Sequence, residues 1–188
     1  MRRFALSGIA LAALSLTACN NVKIESDATA LADRAAIEDL LVSYYSHFGG
    51  SSNEDFGSYY TEDAVFDVNG RVAKGREAII GLYDGMADTT AADENPSGQG
   101  VFHMLVTNIQ VHVDGDTATS TNFWTGILNT DPFGPPHLQE HGREYDKYVK
   151  QDGKWLITHR VVVADSAMPE SFRETYQPRL DYDINAGE

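Results

Sequence analysis

The feature that most constrains this chain is a series of four long strand-like segments in its second half. The predicted strands cover residues 101–113, 117–128, 143–150 and 154–164. Asp114-Gly115 joins the first two and Asp152-Gly153 joins the last two. An Asp-Gly step between alternating residues is a strong signal for a β-hairpin. The second half of the chain therefore predicts a large antiparallel sheet.

The first half of the chain has helical spacing instead. Apolar residues recur three or four positions apart over residues 30–48, which predicts an amphipathic helix that Gly49-Gly50 ends. These residues are Ile37, Leu40, Leu41, Tyr44 and Phe48. The elements predicted next are a short helix over 54–60, a strand over 64–68 before an Asn69-Gly70 turn, a helix near 79–86 and an acidic loop over 87–100.

This order of elements predicts an α+β fold. A curved antiparallel sheet would wrap around three N-terminal helices and form a cone with an open mouth. A pocket of that shape usually has apolar walls and a few polar groups that converge on a ligand. The 188 residues leave room for one domain of ordinary size after any leader segment.

The chain is strongly acidic, with 28 Asp and Glu residues against 14 Lys and Arg residues and a formal net charge of −14. It lacks the basic surface that binding to nucleic acid or to an anionic bilayer requires, so the sequence disfavours both partners. The one cysteine excludes an internal disulfide framework and a cysteine-based metal site.

The N-terminal segment has the composition of a secretory signal. Arg2 and Arg3 precede an apolar run that is too short to span a bilayer, and Leu-Thr-Ala stands directly before Cys19. This end resembles the bacterial lipobox, which implies a signal peptide over residues 1–18 and lipid attachment at Cys19. By the same resemblance Asn20 favours the outer membrane, facing the periplasm. The alternative is a buried helix with an incidental cysteine.

Seven short segments of the mature chain carry, in their order, a resemblance to a known family. They are residues 37–44, 60–67, 75–79, 102–103, 113–118, 142–146 and 152–155. Over about residues 32–165 the chain resembles the SnoaL-like domains of the nuclear transport factor 2-like superfamily, which includes scytalone dehydratase and ketosteroid isomerase. The resemblance supports the cone-shaped fold. It does not fix a function, because the superfamily includes lyases, isomerases, hydrolases and binding modules.

The predicted domain organisation follows from these segments. Residues 19–30 are polar and would tether the lipid to the domain, and residues 31–165 form the SnoaL-like α+β domain. Residues 166–188 form a C-terminal tail that contains Phe172 and Tyr176. As C-terminal segments do in some relatives, this tail would close the mouth of the cone as a lid.

Two residues are candidates for a proton-abstracting base. Alternation places Val101, His103 and Leu105 on one face of their strand, so the imidazole of His103 would face the cavity. The resemblance to scytalone dehydratase implies a catalytic histidine at this position. Asp67 matches, in order, the base aspartate of ketosteroid isomerase. The alternatives are a hydrogen-bonded core histidine and an aspartate that caps the turn after its strand.

Two further residues are candidates for stabilising a developing oxyanion. By resemblance to ketosteroid isomerase, Tyr44 on the inner face of the first helix matches the tyrosine that donates to the oxyanion. Asp146 matches the aspartic acid that the isomerase keeps protonated in an apolar site. The alternatives are plain packing for Tyr44 and, for Asp146, an ion pair with Arg143 or Arg160.

The function that the resemblance implies is a cofactor-independent lyase or isomerase. It would remove a proton alpha to the carbonyl group of a small apolar cyclic compound, with no metal or organic cofactor. The alternative is a lipid-anchored ligand-binding or dimerisation module without turnover. Gly49-Gly50 supports this alternative, because dehydratase relatives carry a Tyr-Asp pair there. A homodimer is a further expectation, since dimers are frequent among relatives.

One short motif would indicate a metal in another context. His137, Glu140 and His141 match the H-x-x-E-H pattern of some metalloproteases. That pattern needs a helix so that both imidazoles face one ion. Here it lies between two prolines and the start of a predicted strand, so we expect no metal site.

Overall fold

The computed structural model describes residues 15–47, 54–93, 100–168 and 170–186. Two α-helices are present, α1 (Ser15–Ser46) and α2 (Arg76–Asp93), together with 3-10 helices at Glu54–Tyr59 and Glu170–Phe172. The strands are β1 (Tyr60–Val68), β2 (Arg71–Lys74), β3 (Val101–Asp114), β4 (Thr117–Asn129), β5 (His137–Gln151) and β6 (Lys154–Ser166).

The six strands form one sheet in the order β2-β1-β6-β5-β4-β3. The pairing of β1 with β6 is parallel, and every other pairing is antiparallel. The predicted α+β fold and both Asp-Gly hairpins are thus confirmed, with two corrections. The sheet is mixed, and the short strand β2 was not predicted. β2 forms because Asn69 and Gly70, both with positive φ, turn the chain back onto β1.

The helices and the sheet enclose one apolar core. Ile37, Leu41 and Tyr44 are at most 1% exposed, which confirms the predicted apolar face of α1. Asp33 fixes the orientation of α1, since its carboxylate accepts hydrogen bonds from Lys150 Nζ at 2.6 Å and Trp155 Nε1 at 3.1 Å. The face of the sheet that meets the helices is called the inner face below, and the opposite face is the outer face.

A β-bulge in β3 changes which side chains point inward. The pairing with β4 shifts between Thr107 and Gln110, and Asn108 adopts a φ of 55°. Met104 before the bulge and Val111 after it both pack against the core. Val101, His103 and Leu105 are exposed. The prediction that His103 points inward is therefore wrong, because one extra residue reverses the alternation along the strand.

Residues 170–186 form a segment that we call the C-terminal strap. Phe172 is buried in the core, and the rest of the strap crosses the outer face. The Arg143 guanidinium donates to the carbonyl oxygens of Pro178, Arg179 and Leu180. The ring of Tyr182 packs edge-on against Tyr145, with centroids 4.9 Å apart. These contacts place the strap on the outer face, not over the mouth of the cone as expected for a lid.

The N-terminal predictions fall largely outside the described structure. Residues 1–14 of the predicted signal peptide lie outside the described residues, as does the side chain of Cys19. The helix α1 begins at Ser15 and so includes the segment predicted as a tether. Within the described residues, none of the helices combines the length and the apolar character needed to cross a bilayer. The predicted loop over 87–100 is helical as far as Asp93, and residues 94–99 lie outside the description.

Candidate functional site

Polar side chains gather at the centre of the inner face, against the helices. We call this group the buried polar cluster. It consists of Tyr44, Tyr45, Tyr60, Tyr83, Ser120, Asn122, Glu144, Asp146, Tyr148 and Arg160, all nearly or fully buried. On β4 and β5 the members occupy every second position, so strand alternation sends them inward together. On β6 a shift in pairing near Ile157 and His159 brings Arg160 to the same face.

The central contact of the buried polar cluster is an ion pair between Arg160 and Asp146. Arg160 Nε donates to Asp146 Oδ1 at 2.7 Å, and Nη2 donates to Oδ2 at 3.0 Å. Tyr148 also donates to Asp146 at 2.8 Å. Burial works against the charge of Arg160, but Asp146 and Glu144 raise its pKa well above the ordinary value. The guanidinium is therefore a permanent buried cation, and Asp146 neutralises it.

Glu144 is the unusual acid of the buried polar cluster. Its side chain is 1% exposed, accepts a hydrogen bond from the Tyr45 hydroxyl at 2.5 Å, and lies 3.1 Å from Arg160 Nη2. Burial raises the pKa of Glu144 to about 8; Arg160 opposes this rise, whereas Asp146 adds to it. Glu144 is thus largely protonated at neutral pH and can donate a proton.

The tyrosines complete the cluster on the helix side. Tyr44 hydrogen bonds to Tyr60 at 3.1 Å and to Tyr83, and the guanidinium carbon of Arg160 lies 4.0 Å from the centroid of the Tyr44 ring. Burial raises the pKa of Tyr44, Tyr45 and Tyr60. These phenols therefore stay neutral and supply hydrogen bonds and a cation–π contact, not charge.

Three groups of the cluster retain hydrogen-bonding capacity. Asn122 is 3% exposed, and neither atom of its side-chain amide forms a hydrogen bond with a described residue. Arg160 Nη1 also lacks a hydrogen bond, as does Glu144 Oε1, although this oxygen lies 3.1 Å from Arg160 Nη2 in an ion pair. Asn122 and Glu144 are direct cross-strand partners. Since buried polar groups in folded proteins are normally paired, this set is the part of the cluster best suited to receive a ligand.

The structure brings together two of the four predicted catalytic residues. Tyr44 and Asp146 both contact Arg160, one through its ring and the other through its carboxylate. Ser120 adds a contact to Asp146 at 3.4 Å. The ion-pair alternative for Asp146 is the correct one, with Arg160 as the partner. Arg143 instead pairs with Asp165 on the outer face.

The other two predicted catalytic residues lie outside the cluster. Asp67 alternates with the buried Phe66 and points to the outer face, where it caps the turn by accepting from Gly70 N at 2.7 Å. It also pairs with Arg179 of the strap at 2.6 Å. The turn-capping alternative is therefore correct for Asp67. His103 is exposed on the outer face, so neither residue lies on the face that carries the buried polar cluster.

Sequence reasoning missed Asn122, Glu144 and Arg160 as site residues. A signal was present for the first two, because Ser120 and Asn122 on β4, and Glu144 and Asp146 on β5, are polar residues at inward positions of strands with buried neighbours. Arg160 carried no such signal. Its orientation depends on the irregular pairing between β5 and β6, which the local sequence does not reveal.

Two other features do not form part of the site. The H-x-x-E-H pattern begins the strand β5 and so lacks its helix, and the described residues contain no group of acidic, histidine or cysteine side chains arranged to hold a metal. A cleft of about 360 Å³ lies between the strap and the strands β3 and β4, with Gln110, His112 and Tyr182 in its lining. Ser120 of the buried polar cluster also contributes to its lining.

Comparison with solved structures places the fold among known proteins. An NTF2-like protein with a cystatin-like fold from Novosphingobium aromaticivorans is 22% identical, with a TM-score of 0.63 over 83% of this chain and 96% of that chain. A candidate scytalone dehydratase from the same organism is 20% identical, with a TM-score of 0.56 over 84% and 97%. The beta subunit of a candidate aromatic-ring-hydroxylating dioxygenase, also from that organism, is 12% identical, with a TM-score of 0.60 over 79% and 99%.

At these identities the structural matches establish the fold and leave the activity open. No curated protein matched the chain. The family model described as a SnoaL-like domain matches residues 29–161, which include most of the sheet and the whole buried polar cluster. The cone of helices and curved sheet is similar to the fold of the NTF2-like protein, and the chain belongs to the SnoaL-like domain family.

Proposed function

We propose that this domain is a cofactor-independent lyase or isomerase that acts on a small, largely apolar carbonyl compound inside the cone. The observation that carries the proposal is Glu144, an acid buried on the inner face and held largely protonated at neutral pH. A proton donor in such an environment is typical of sites that polarise a carbonyl oxygen. The similarity in fold to a candidate scytalone dehydratase supports the same class of chemistry.

One acid suffices for the proton transfers. Glu144 donates its proton to the carbonyl oxygen, and its carboxylate then removes a proton from the adjacent carbon, which yields an enol and restores the acid. Arg160, 3.1 Å from Glu144, stabilises the transient carboxylate. In isomerisation, Glu144 protonates the enol of an unsaturated ketone at a different carbon, and the enol hydroxyl returns a proton to the carboxylate as the carbonyl forms again. In elimination, Glu144 protonates a hydroxyl group on the neighbouring carbon, which leaves as water, and the enol hydroxyl returns a proton to the carboxylate. This route needs neither Asp67 nor His103.

Access to the site imposes a condition. Glu144, Asp146 and Arg160 are at most 1% exposed, so a ligand reaches them only when neighbouring side chains move. We therefore expect ligand association to be much slower than the typical 10⁵–10⁷ M⁻¹s⁻¹ of unobstructed docking. Stopped-flow measurement of tyrosine fluorescence would give this rate.

Deuterium exchange tests the proton transfer on a simple carbonyl compound. The protein would be incubated with 2-cyclohexenone in D₂O, and NMR would follow replacement of the proton on the carbon next to the carbonyl. We expect exchange above the protein-free rate and a loss of about 100-fold or more in Glu144→Gln, as for removal of a positioned acid. Glu140→Gln, on the same strand, is the matched control. Exchange that depends on His103 and not on Glu144 would contradict the proposal.

A second candidate is a ligand-binding or dimerisation module without turnover. Two observations favour it: the carboxylate of Asp146 and the hydroxyl of Tyr44 are already hydrogen-bonded within the protein, and apolar residues are exposed on the outer face. In this case carbonyl compounds would bind, but the exchange rate of their protons would equal that of the protein-free control. The same NMR experiment therefore separates the two candidates.

We also propose that Cys19 carries a lipid and anchors the domain to the bacterial outer membrane, on the periplasmic side. The support is the Leu-Thr-Ala-Cys sequence at the end of the apolar leader. Several acyl chains on one residue anchor firmly, since each buried CH₂ contributes about 0.8 kcal/mol. In a bacterial host labelled with radioactive palmitate, we expect label on the wild type and none on Cys19→Ser. Equal labelling of both proteins would refute this assignment.

A further inference from the structure

Asn122 is the least satisfied polar side chain of the buried polar cluster. It is 3% exposed, and both its amide nitrogen and its amide oxygen lack a hydrogen bond to any described residue. An unpaired buried polar group costs about 1–3 kcal/mol. A side chain with this cost, placed among fully buried neighbours, needs a role other than stabilising the fold.

The strands on both sides of Asn122 are arranged unusually. On one side, the bulge in β3 lies between Thr107 and Gln110, which pair with Phe123 and Thr121, so the bulge stands opposite Asn122. On the other side, Glu144 is its direct partner on β5. Bulges redirect side chains and are frequent next to functional sites. The sheet is therefore distorted at the position of the unpaired amide.

The chemistry of these groups defines the ligand. A side-chain amide presents an NH₂ donor group and a carbonyl acceptor on the same carbon, so its complement has an acceptor and a donor on neighbouring carbons. Arg160 already pairs with Asp146 at 2.7 Å and contacts Glu144 at 3.1 Å, so the site offers no cation of its own to a charged ligand. A carboxylate would enter a buried region without a counter-ion, which is costly.

We infer that Asn122 is a specificity-determining residue that selects neutral compounds with a hydroxyl group on the carbon next to the carbonyl. Its amide nitrogen donates to the carbonyl oxygen, and its amide oxygen accepts from the hydroxyl group. Glu144 contacts the same carbonyl oxygen from the neighbouring strand. This inference rests on the proposed function, because the carbonyl must lie within reach of Glu144.

Three matched compounds test the inference: 2-hydroxycyclohexanone, cyclohexanone and cyclohexanecarboxylate. Binding would be measured by protein-observed NMR titration. We expect the wild type to prefer 2-hydroxycyclohexanone over cyclohexanone by about tenfold, the effect of one or two neutral hydrogen bonds. We expect cyclohexanecarboxylate to bind more weakly than cyclohexanone. Tighter binding of the carboxylate would identify Arg160 as an anion site and overturn the inference.

Substitution of Asn122 decides its role. In Asn122→Leu the preference for the hydroxyketone should disappear, because this ligand loses two hydrogen bonds whereas cyclohexanone loses only the one to its carbonyl oxygen; the Kd for cyclohexanone should therefore rise by a smaller factor than the Kd for the hydroxyketone. The Tm should not fall, since an unpaired buried amide is replaced by an apolar group of similar size. If this variant does not fold, Asn122→Thr tests the same loss of preference for the hydroxyketone. The matched control is Thr121→Val, whose side chain lies on the opposite face of the same strand and whose preference should be unchanged.

The outcomes separate this inference from the proposed function. If the wild type shows Glu144-dependent exchange and Asn122→Leu keeps the preference for the hydroxyketone, the role of Asn122 is refuted and the proposed function stands. If none of the ketones binds or exchanges its protons, both are refuted. A large fall in Tm in Asn122→Leu, with the preference unchanged, would assign Asn122 a purely structural role.

Discussion

Arg160 is the residue on which the inner face depends most. It is fully buried, pairs with Asp146 and Glu144, and packs on the ring of Tyr44. Removal of one member of a buried ion pair leaves the other charge unpaired, which typically costs 3–5 kcal/mol. We therefore expect the loss of Arg160 to lower the free energy of unfolding more than the loss of any exposed ion pair described above.

Replacement of Arg160 tests this dependence. We expect Arg160→Met to lower the free energy of unfolding by about 3–5 kcal/mol at pH 7, because Asp146 loses its counter-ion. Urea unfolding followed by circular dichroism would measure the change. Arg173→Ala is the control, since Arg173 pairs with Glu170 at the surface and should cause no measurable change. A loss below 1 kcal/mol in Arg160→Met would contradict the assignment.

The raised pKa of Glu144 predicts how stability depends on pH. Its pKa is raised from 4.5 to about 8, so between these values the folded protein holds a proton that the unfolded chain has released. The free energy of unfolding should therefore fall as the pH rises through this window, by roughly 1.4 kcal/mol per pH unit from this group, and level off above it. Below the window the group makes no pH-dependent contribution.

The contribution of Glu144 is isolated by difference. Urea unfolding of the wild type and of Glu144→Gln would be compared from pH 4 to pH 9. The wild type should lose stability relative to Glu144→Gln as the pH rises through the window, because the glutamine side chain does not titrate. The stability of Glu77→Gln, a substitution at an exposed position of α2, should change with pH in parallel with that of the wild type. Parallel curves for Glu144→Gln and the wild type would refute the raised pKa.

At the scale of elements, the bulge in β3 determines which residues reach the core. Asn108 accommodates the bulge by adopting a φ of 55°. This is a left-handed conformation that asparagine and glycine tolerate and β-branched residues avoid. We expect Asn108→Val to lower stability by about 1–2 kcal/mol and Asn108→Gly to leave it nearly unchanged. Thermal unfolding would measure both. Equal Tm values for the valine and glycine variants would show that the left-handed conformation is not required.

The strap is a second element with a specific attachment. Arg143 donates to three strap carbonyls and pairs with Asp165. In Arg143→Ala we expect faster amide exchange and faster proteolysis within residues 176–186, with little change at β4, since the strap loses its main polar contact. Hydrogen exchange with mass spectrometry would detect this. Arg173→Ala serves again as control, and unchanged protection in Arg143→Ala would indicate that the other contacts of the strap, such as the Arg179–Asp67 ion pair, suffice to hold it.

The elements themselves were largely predictable from sequence, whereas the faces of the strands were only partly so. Helical spacing identified the buried side of α1, and the Asp-Gly steps located both hairpins. The strand β2 was missed because four residues give too short a pattern. His103 was misplaced because alternation assumes an unbroken strand, and the bulge at Asn108 breaks it. Asp67 was misplaced because its partner, Arg179, lies in a tail without a periodic pattern.

At the scale of the whole molecule, the outer face is only partly covered. The strap does not reach the start of β3, where four apolar residues are between 39% and 67% exposed. We call them the outer apolar patch; they are Val101, Leu105, Phe123 and Leu138. Exposed apolar groups clustered on one sheet face are typical of association sites, and the expected homodimer would bury them against a second copy of the chain.

Sedimentation equilibrium tests the homodimer. We expect the wild type to be dimeric at micromolar concentration and Phe123→Lys to be monomeric, since a charge in the outer apolar patch would lose its solvation on association. Leu180→Lys is the matched control, because Leu180 is 77% exposed on the strap, outside the patch. A monomeric wild type would exclude this dimer.

The parallel pairing of β1 with β6 has a consequence for how the protein acquires its structure. Phe66 lies beside Arg160 in this pairing. One edge of β1 therefore stays unpaired until β6, the last strand in the sequence of the sheet, is available. A nascent chain without β6 therefore gains little stability by folding. Contacts between residues so distant in sequence also make folding slow. We therefore expect the domain to become resistant to proteases only after β6 has been synthesised.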